Sequence, residues 1–397
     1  MNPPASSPGG GRLVALDAFR GLTIILMIVV NNPGSWGHVY APLRHAAWHG
    51  LTPTDLVFPF FLFITGAAMA LSFARRRGAG ADRATLLRGI ARRAAIIFAC
   101  GLLLNGFPFG VPLNRDAAAG WSPAAFGDAF AHLRVMGVLQ RIALAWGTVA
   151  LLVVVLPGAR RRWAAAGGFV LAYELVTRLL PGAAPGDPFS LAGSAARRLD
   201  LAVFGADHVW RVDGLPFEPE GLLTTLTAIV TVMLGYEAGR LLAGNAPLAV
   251  RLRRLTGAGV AAVAVGAALA AAEPVNKQLW TVSYTVLTAG LGALVLAACL
   301  GAVDARGWRR WTGPLVVFGV NPLVAFLGSG LLARVLGLVR VPAAEGATRS
   351  LHAAVYHGVC VPIAGVTGGS LLYALLNVAV WWCVLLGLER RGLRIRV

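Results

Sequence analysis

Apolar runs long enough to cross a membrane follow one another through most of this chain, broken by short polar connections. A spanning helix needs about 20 mostly apolar residues. Read on that length, the pattern predicts about ten helices, at roughly 20–35, 53–74, 88–106, 134–156, 163–180, 221–243, 257–273, 280–300, 313–336 and 370–388. The strict apolar–polar alternation of a membrane β-barrel is absent. The expected fold is therefore all-α and polytopic, with about ten transmembrane helices. Residues 338–366 are apolar enough for a further helix, but another crossing would reverse the C-terminal end. An outer-face interfacial or re-entrant helix is the expectation there. No internal repeat is visible.

Composition supports this picture. Of 397 residues, 57% are hydrophobic and 13% charged, where a soluble domain carries about a quarter charged. The 49 glycines suit helices that approach closely in lipid. A net charge of +18 would suggest nucleic acid in a soluble protein. Here the arginines cluster in alternate short connections (75–77, 160–162, 251–254, 306–310 and 390–391), where they orient helices. No nucleic acid partner is expected. Both termini are then cytoplasmic, with the bilayer as the chain's environment and an inner bacterial membrane as its location. Residues 1–11, rich in Pro, Gly and Ser, read as a disordered tail without signal-peptide character. Residues 12–397 read as one transmembrane domain, with 181–220 as a folded external loop. Four cysteines lie in or beside apolar segments without CxxC spacing and read as small membrane hydrophobes.

The connection between the first two apolar runs, Leu22–Val30 and Leu56–Ile64, gathers Asn31, Asn32, His38, His45, His49 and Asp55. Polar groups between membrane helices are costly and mark a functional site by default. A neutral imidazole can take a proton from an attacking amine or hydroxyl, or carry an acyl group. A nearby amide can donate to a developing oxyanion. A hydrogen-bonded histidine in an interfacial loop accounts for the same pattern. His45 and His49 would share a face if helical, the spacing of a zinc pair, but HAAWH lacks the glutamate of that motif and a third ligand. No metal is expected. Asp55 in TPTD either caps the second helix with Thr52 or orients a histidine; the two roles are compatible.

Arg20 precedes Asn31 by eleven positions, about 16 Å of helical rise. A cation at one face and an amide deeper in suit a long donor with a phosphate-bearing head and a reactive tail. A snorkelling arginine is the ordinary alternative. Gln140 and Arg141 lie within the fourth predicted helix and should face the bundle interior. Glu174 and Arg178, one turn apart, can pair with each other. Glu220, Asn276 and Lys277, the chain's single lysine, border the outer face, open to an acceptor or merely solvated.

The stretches RLVALDAFRG, HAAWHGLTPTDLVFPFFLFITG, GVLQRIALAW, EPEGLLTTLTAIVTVMLGYEAG and VNKQLWTVSY, with the closing RGLRIRV, span nearly the whole chain. Together they resemble bacterial relatives of the heparan-α-glucosaminide N-acetyltransferase family, membrane acyltransferases. The resemblance implies that cytoplasmic acetyl-CoA donates an acetyl group to a sugar amine or hydroxyl on the far side, without a metal. Its active histidine corresponds to His45 and its asparagine to Asn31, with Asp55 beside them. Arg20, eleven residues before Asn31, becomes a coenzyme ligand, with Arg141 and Gln140 as further candidates. His49, Glu220, Asn276 and Lys277 are the acceptor candidates. The chain departs from the family at His49, usually asparagine, and after Asn31, usually glycine-rich. The large luminal domain of the animal enzyme has no counterpart ahead of Arg12, so heparan sulfate itself is not the expected acceptor. A glycan or amino sugar takes its place, and a homodimer would be ordinary. The alternative is a transporter or flippase for a lipid-linked or small polar substrate, which predicts no acetyl-CoA binding and indifference to His45→Ala.

Overall fold

The computed structural model describes residues 13–78, 80, 82–110, 123–156, 158–180, 186–343 and 347–393. The tail 1–11, residues 181–185 of the external loop and the last four residues lie outside them. Helices dominate the described chain. Its only strands are two short antiparallel pairs, β1 (Arg211–Val212) with β2 (Leu215–Pro216) and β3 (Arg340–Pro342) with β4 (Thr348–Ser350). The protein is a predominantly helical integral membrane protein.

Each predicted apolar run falls on a helix. The first six helices are α1 (Val14–Asn31), α2 (Val57–Gly78), α3 (Arg83–Gly106), the short α4 (Pro123–Ala131), α5 (Val138–Val155) and α6 (Ala159–Leu179). The short α7 (Ala195–Phe204) is followed by α8 (Leu222–Ala243), α9 (Leu248–Leu269) and α10 (Val282–Cys299). Then come α11 (Gly313–Val320), α12 (Pro322–Leu338), α13 (Leu351–Val355) and α14 (Val361–Arg390). By length and apolarity, seven described spans can cross a membrane, or eight if the bent α11–α12 pair counts as one. The expected ten is not reached on this measure. The two shortfalls are α3 and α6, which are long enough but carry Arg83, Arg88, Arg92 and Arg93, and Arg160 to Arg162 with Glu174 and Arg178.

The 84° bend between α11 and α12 falls at Asn321-Pro322. Proline disfavours helical dihedrals in the residue before it, and Asn321 sits outside the helical region at φ −122°. Within the segment 338–366 a helical stretch begins at Leu351 and is broken from the rest of the last helix by non-helical dihedrals at Gly365. After β3 and β4 the chain enters α13, which runs through the turn Tyr356–Cys360 into α14, bending at Gly365 where φ is +71°. That left-handed dihedral suits glycine. Arg134 precedes α5 rather than opening it, because Gly137 at the N-cap is fully extended.

The core forms where α2, α5 and α8 meet, around Leu62, Met69, Trp146, Val149, Met233 and Trp280. α2 lies against α8 backbone to backbone. A side chain at Gly66 would meet the Val232 carbonyl oxygen at 2.0 Å, and one at Gly235 the Phe63 carbonyl oxygen at 2.0 Å. Small residues permit this approach, and dispersion contacts along it hold the pair where lipid supplies no hydrophobic drive.

Candidate active site

The connection between α1 and α2 is tied to distant parts of the chain by hydrogen bonds. Gly34 N–H donates to the Ser370 carbonyl, Trp48 Nε1–H to the Phe189 carbonyl at 2.7 Å, and Gly50 N–H to the Val275 carbonyl. Residues 45–49 are not helical. His45 and His49 therefore do not share a helix face, and the zinc-pair geometry does not arise. His49 Nδ1 instead meets the Asn276 carboxamide at 3.2 Å.

Asp55 performs both of its expected roles. A 3₁₀ turn, Pro53–Leu56, leads into α2, and Thr52 and Asp55 form a capping box across it. The Asp55 carboxylate accepts from Ala46 N–H, Thr52 N–H and the Thr52 hydroxyl through Oδ2. Its Oδ1 stands 2.6 Å from His45 Nδ1. An ionised carboxylate is acceptor-only, so the proton of this pair sits on Nδ1 and His45 donates. In the neutral ring, Nε2 then keeps its lone pair. Asp55 is 1% exposed and His45 39% exposed, so a buried anchor holds an open ring. The Tyr284 hydroxyl fixes the turn from below by donating to the Asp55 carbonyl at 2.6 Å.

A second loop brings Lys277 to the ring. Its Nζ lies 3.1 Å from His45 Nδ1, 3.3 Å from Nε2 and 3.7 Å from Asp55 Oδ1. Near-equal distances to both ring nitrogens put the cation over the ring rather than along the Nε2 lone pair. Asn276 builds this loop: its Oδ1 accepts from Leu279 N–H, and its backbone N–H donates to Thr281 Oγ1. Burial lowers the Lys277 ammonium from its ordinary range, against the pull of Asp55 and Glu220.

Beside this pair lies a compact charge network. Arg134 grips Glu218 through two parallel hydrogen bonds of 2.9 and 2.5 Å and reaches Glu220 at 2.6 Å. Burial acts to raise the Glu220 carboxyl, but Arg134, Arg141 and Lys277 together hold it below its usual range. Arg141 is fully buried. It donates to the Pro219 carbonyl and the Thr224 hydroxyl, and its guanidinium lies 4.8 Å over the Trp280 ring.

One cavity of about 1440 Å³ joins these groups to a distant cluster of arginines. Pockets for drug-sized ligands run roughly 300–1,000 Å³, so this one accommodates a longer molecule. α2 lines it from Val57 to Arg76, a helical length of about 28 Å. Asn31, His45, Glu220, Lys277 and Trp210 line the histidine end. Arg20, Arg75, Arg76, Arg92, Arg93 and Arg251 line the other. Phe58, Phe61, Ile142, Trp146 and Phe326 form the apolar waist. Arg20 donates to Asp17 Oδ1 and the Gly319 carbonyl, both at 3.0 Å, which fixes its guanidinium at the wall. Arg93 stacks 4.4 Å over Trp146 and leaves its buried Nε without a partner.

A family model described as a domain of unknown function (DUF5009) matches residues 12–104, which hold Arg20, Asn31, His45 and Asp55. Human heparan-alpha-glucosaminide N-acetyltransferase is 28% identical over 369 residues, 80% of this chain and 52% of the human protein. The mouse protein of that name is 26% identical over 382 residues, 83% of this chain and 55% of its own length. This chain is a relative of those acetyltransferases. It spans about half the length of the curated relatives it matches.

Among the residues singled out by sequence, the cavity unites Arg20, Asn31, His45, Glu220, Lys277 and Arg141. Gln140, His49 and Asn276 do not line it. Gln140 packs beneath Gly101, while His49 and Asn276 hold each other. Arg141 belongs to the histidine end, with Glu220, rather than to the arginine cluster. Sequence reading passed over Arg92 and Arg93, whose signal is two charges within the apolar run 88–106. It also passed over Glu218, which nothing separates from an ordinary loop acid until Arg134 is seen beside it. Glu174 and Arg178 pair as expected, at 2.7 Å.

Proposed function

We propose that this chain is a membrane acetyltransferase that takes acetyl-CoA at the arginine-lined end of the cavity and delivers the acetyl group to a sugar amine at the histidine end. One observation carries the reading: a single cavity has clustered cations at one end and an oriented, open imidazole at the other. The two named relatives agree with it. Arg20, Arg75, Arg76, Arg92 and Arg93 suit the coenzyme's phosphates, which guanidinium groups bind through paired hydrogen bonds. The apolar waist suits the pantetheine arm. The positive-inside rule assigns the arginine end to the cytoplasm and the histidine end to the opposite face.

At that face His45 acts as general base through Nε2, with Asp55 holding the tautomer. The acceptor nitrogen attacks the thioester carbonyl and passes its proton to Nε2. The C–S bond then breaks, and the coenzyme leaves as its thiol after taking that proton from His45. Asn31, at the last position of α1 and on the cavity wall, donates to the carbonyl oxygen as charge gathers there. Glu220 offers a carboxylate to an incoming ammonium.

The reading is tested with purified protein in lipid nanodiscs, labelled acetyl-CoA and glucosamine. Acetylglucosamine and free coenzyme thiol are expected in equal amounts, with His45→Ala slower by about 10²–10⁴-fold. A folded protein that binds no acetyl-CoA, or a His45→Ala variant at full rate, refutes it.

A further inference from the structure

Lys277 is the only lysine in the chain, and the reaction just described gives its amine no bond to make. Yet Nζ stands 3.3 Å from His45 Nε2 and 3.1 Å from Nδ1. A general base must come within about 2.6–3.2 Å of the group it deprotonates, somewhat more in an unliganded site. The lysine nitrogen stands at that range but over the ring face, and a rotation of its side chain brings it onto the Nε2 lone pair, the position an acceptor amine has to reach. It also lines the cavity that the donor would occupy.

We propose that Lys277 is an internal acetyl acceptor: when donor is bound and no amino sugar fills the histidine end, the acetyl group passes to Lys277 Nζ. The inference rests on the acetyl-CoA reading above. The ammonium first releases a proton to water in the cavity, which its burial favours. The Nζ lone pair then forms a bond to the thioester carbonyl carbon while His45 Nε2 takes a second Nζ proton. The C–S bond breaks, and the coenzyme leaves as its thiol with the proton from His45. The product is an amide, stable to water, so this is a dead end and not a catalytic intermediate. It removes the positive charge 3.7 Å from Asp55 Oδ1 and places an acyl group against the base. Activity then falls, and acceptor supply protects the enzyme by keeping the acetyl group moving outward.

The chain makes the test unambiguous. Apart from the amino terminus, every other basic side chain is arginine, which stays protonated, or histidine. Purified protein is incubated with acetyl-CoA without amino sugar, digested, and the peptide carrying Lys277 weighed by mass spectrometry while coenzyme binding is followed separately. The expected result is acetylation of Lys277 approaching one group per chain. Glucosamine should suppress it, and His45→Ala should slow it about a hundredfold. Transfer activity of the wild type should decay over the incubation, while Lys277→Arg keeps whatever activity it starts with. Protein that acetylates glucosamine but leaves Lys277 unmodified overturns the internal acceptor and leaves the acetyltransferase reading standing. Equal modification in His45→Ala also overturns it, because the site then plays no part. Protein that neither binds nor consumes acetyl-CoA overturns both.

Discussion

Asp55 shows how one carboxylate can serve a helix and a reaction together. Its Oδ2 closes the capping box with Thr52, and its Oδ1 holds the His45 proton. Asp55→Asn keeps the shape but can no longer enforce the tautomer, so kcat should fall by about 10²–10⁴-fold with KM for acetyl-CoA nearly unchanged. Steady-state kinetics at several coenzyme concentrations separates the two parameters. The TPTD capping signal was legible in the sequence because its geometry is local. That Asp55 could orient a histidine was legible too, but which histidine was not, because that depends on a non-helical loop tied down by Phe189, Val275 and Ser370. Lys277 lies still further off, reaching the ring from 232 positions away.

A second carboxyl sets a pH dependence. Asp200 on α7 sits under the start of α8, accepting from Leu222 N–H at 2.9 Å, and burial pushes it up to about 7. Its folded-state value lies above the unfolded one, so the folded protein binds the extra proton. That contribution is complete below pH 3.8 and is lost as pH rises through about 7. Glu273, pushed up to about 8 by burial, has the same sign. The thermal midpoint of Asp200→Asn should therefore decline less than that of the wild type between pH 4 and pH 8, with the Glu273 part of the slope remaining.

At the scale of elements, the pairing of α2 with α8 sets the site's frame, since α2 follows directly on the turn that holds Asp55 and ends among the arginines. Their contact runs through Gly66, Gly235 and Gly239, where an added side chain would enter the facing backbone at 2.0 to 2.4 Å. Gly235→Leu should lower stability by about 1–3 kcal/mol, the usual cost of overfilling a packed contact. A fall in the thermal midpoint of purified protein checks this, and activity should fall with it as α2 shifts. The glycine spacing GYEAG was visible in the sequence, and so were the helices themselves, because apolar length is a robust signal. The bend at Asn321-Pro322 and the break at Gly365 were not, since both depend on backbone dihedrals and not on hydropathy.

At the scale of the molecule, the cavity converts a list of polar residues into a route. Sequence reading linked Arg20 to Asn31 through their spacing on one helix. It treated Arg75 and Arg76 only as topology signals, because a charge in a short connection carries no mark of which way it faces. The structure turns them onto the same cavity as Arg20. Arg20→Ala should raise KM for acetyl-CoA about 10- to 100-fold, the loss of one charge-assisted contact, with a smaller change in kcat. The most direct test of the whole account places the two substrates on opposite sides of a sealed membrane. Protein is reconstituted into liposomes, acetyl-CoA is supplied at the arginine-lined face, and glucosamine is confined to the other. Acetylglucosamine should form in the glucosamine compartment while free coenzyme thiol appears on the donor side. Product that forms only when both substrates share one side contradicts a donor that reaches through the bundle to His45.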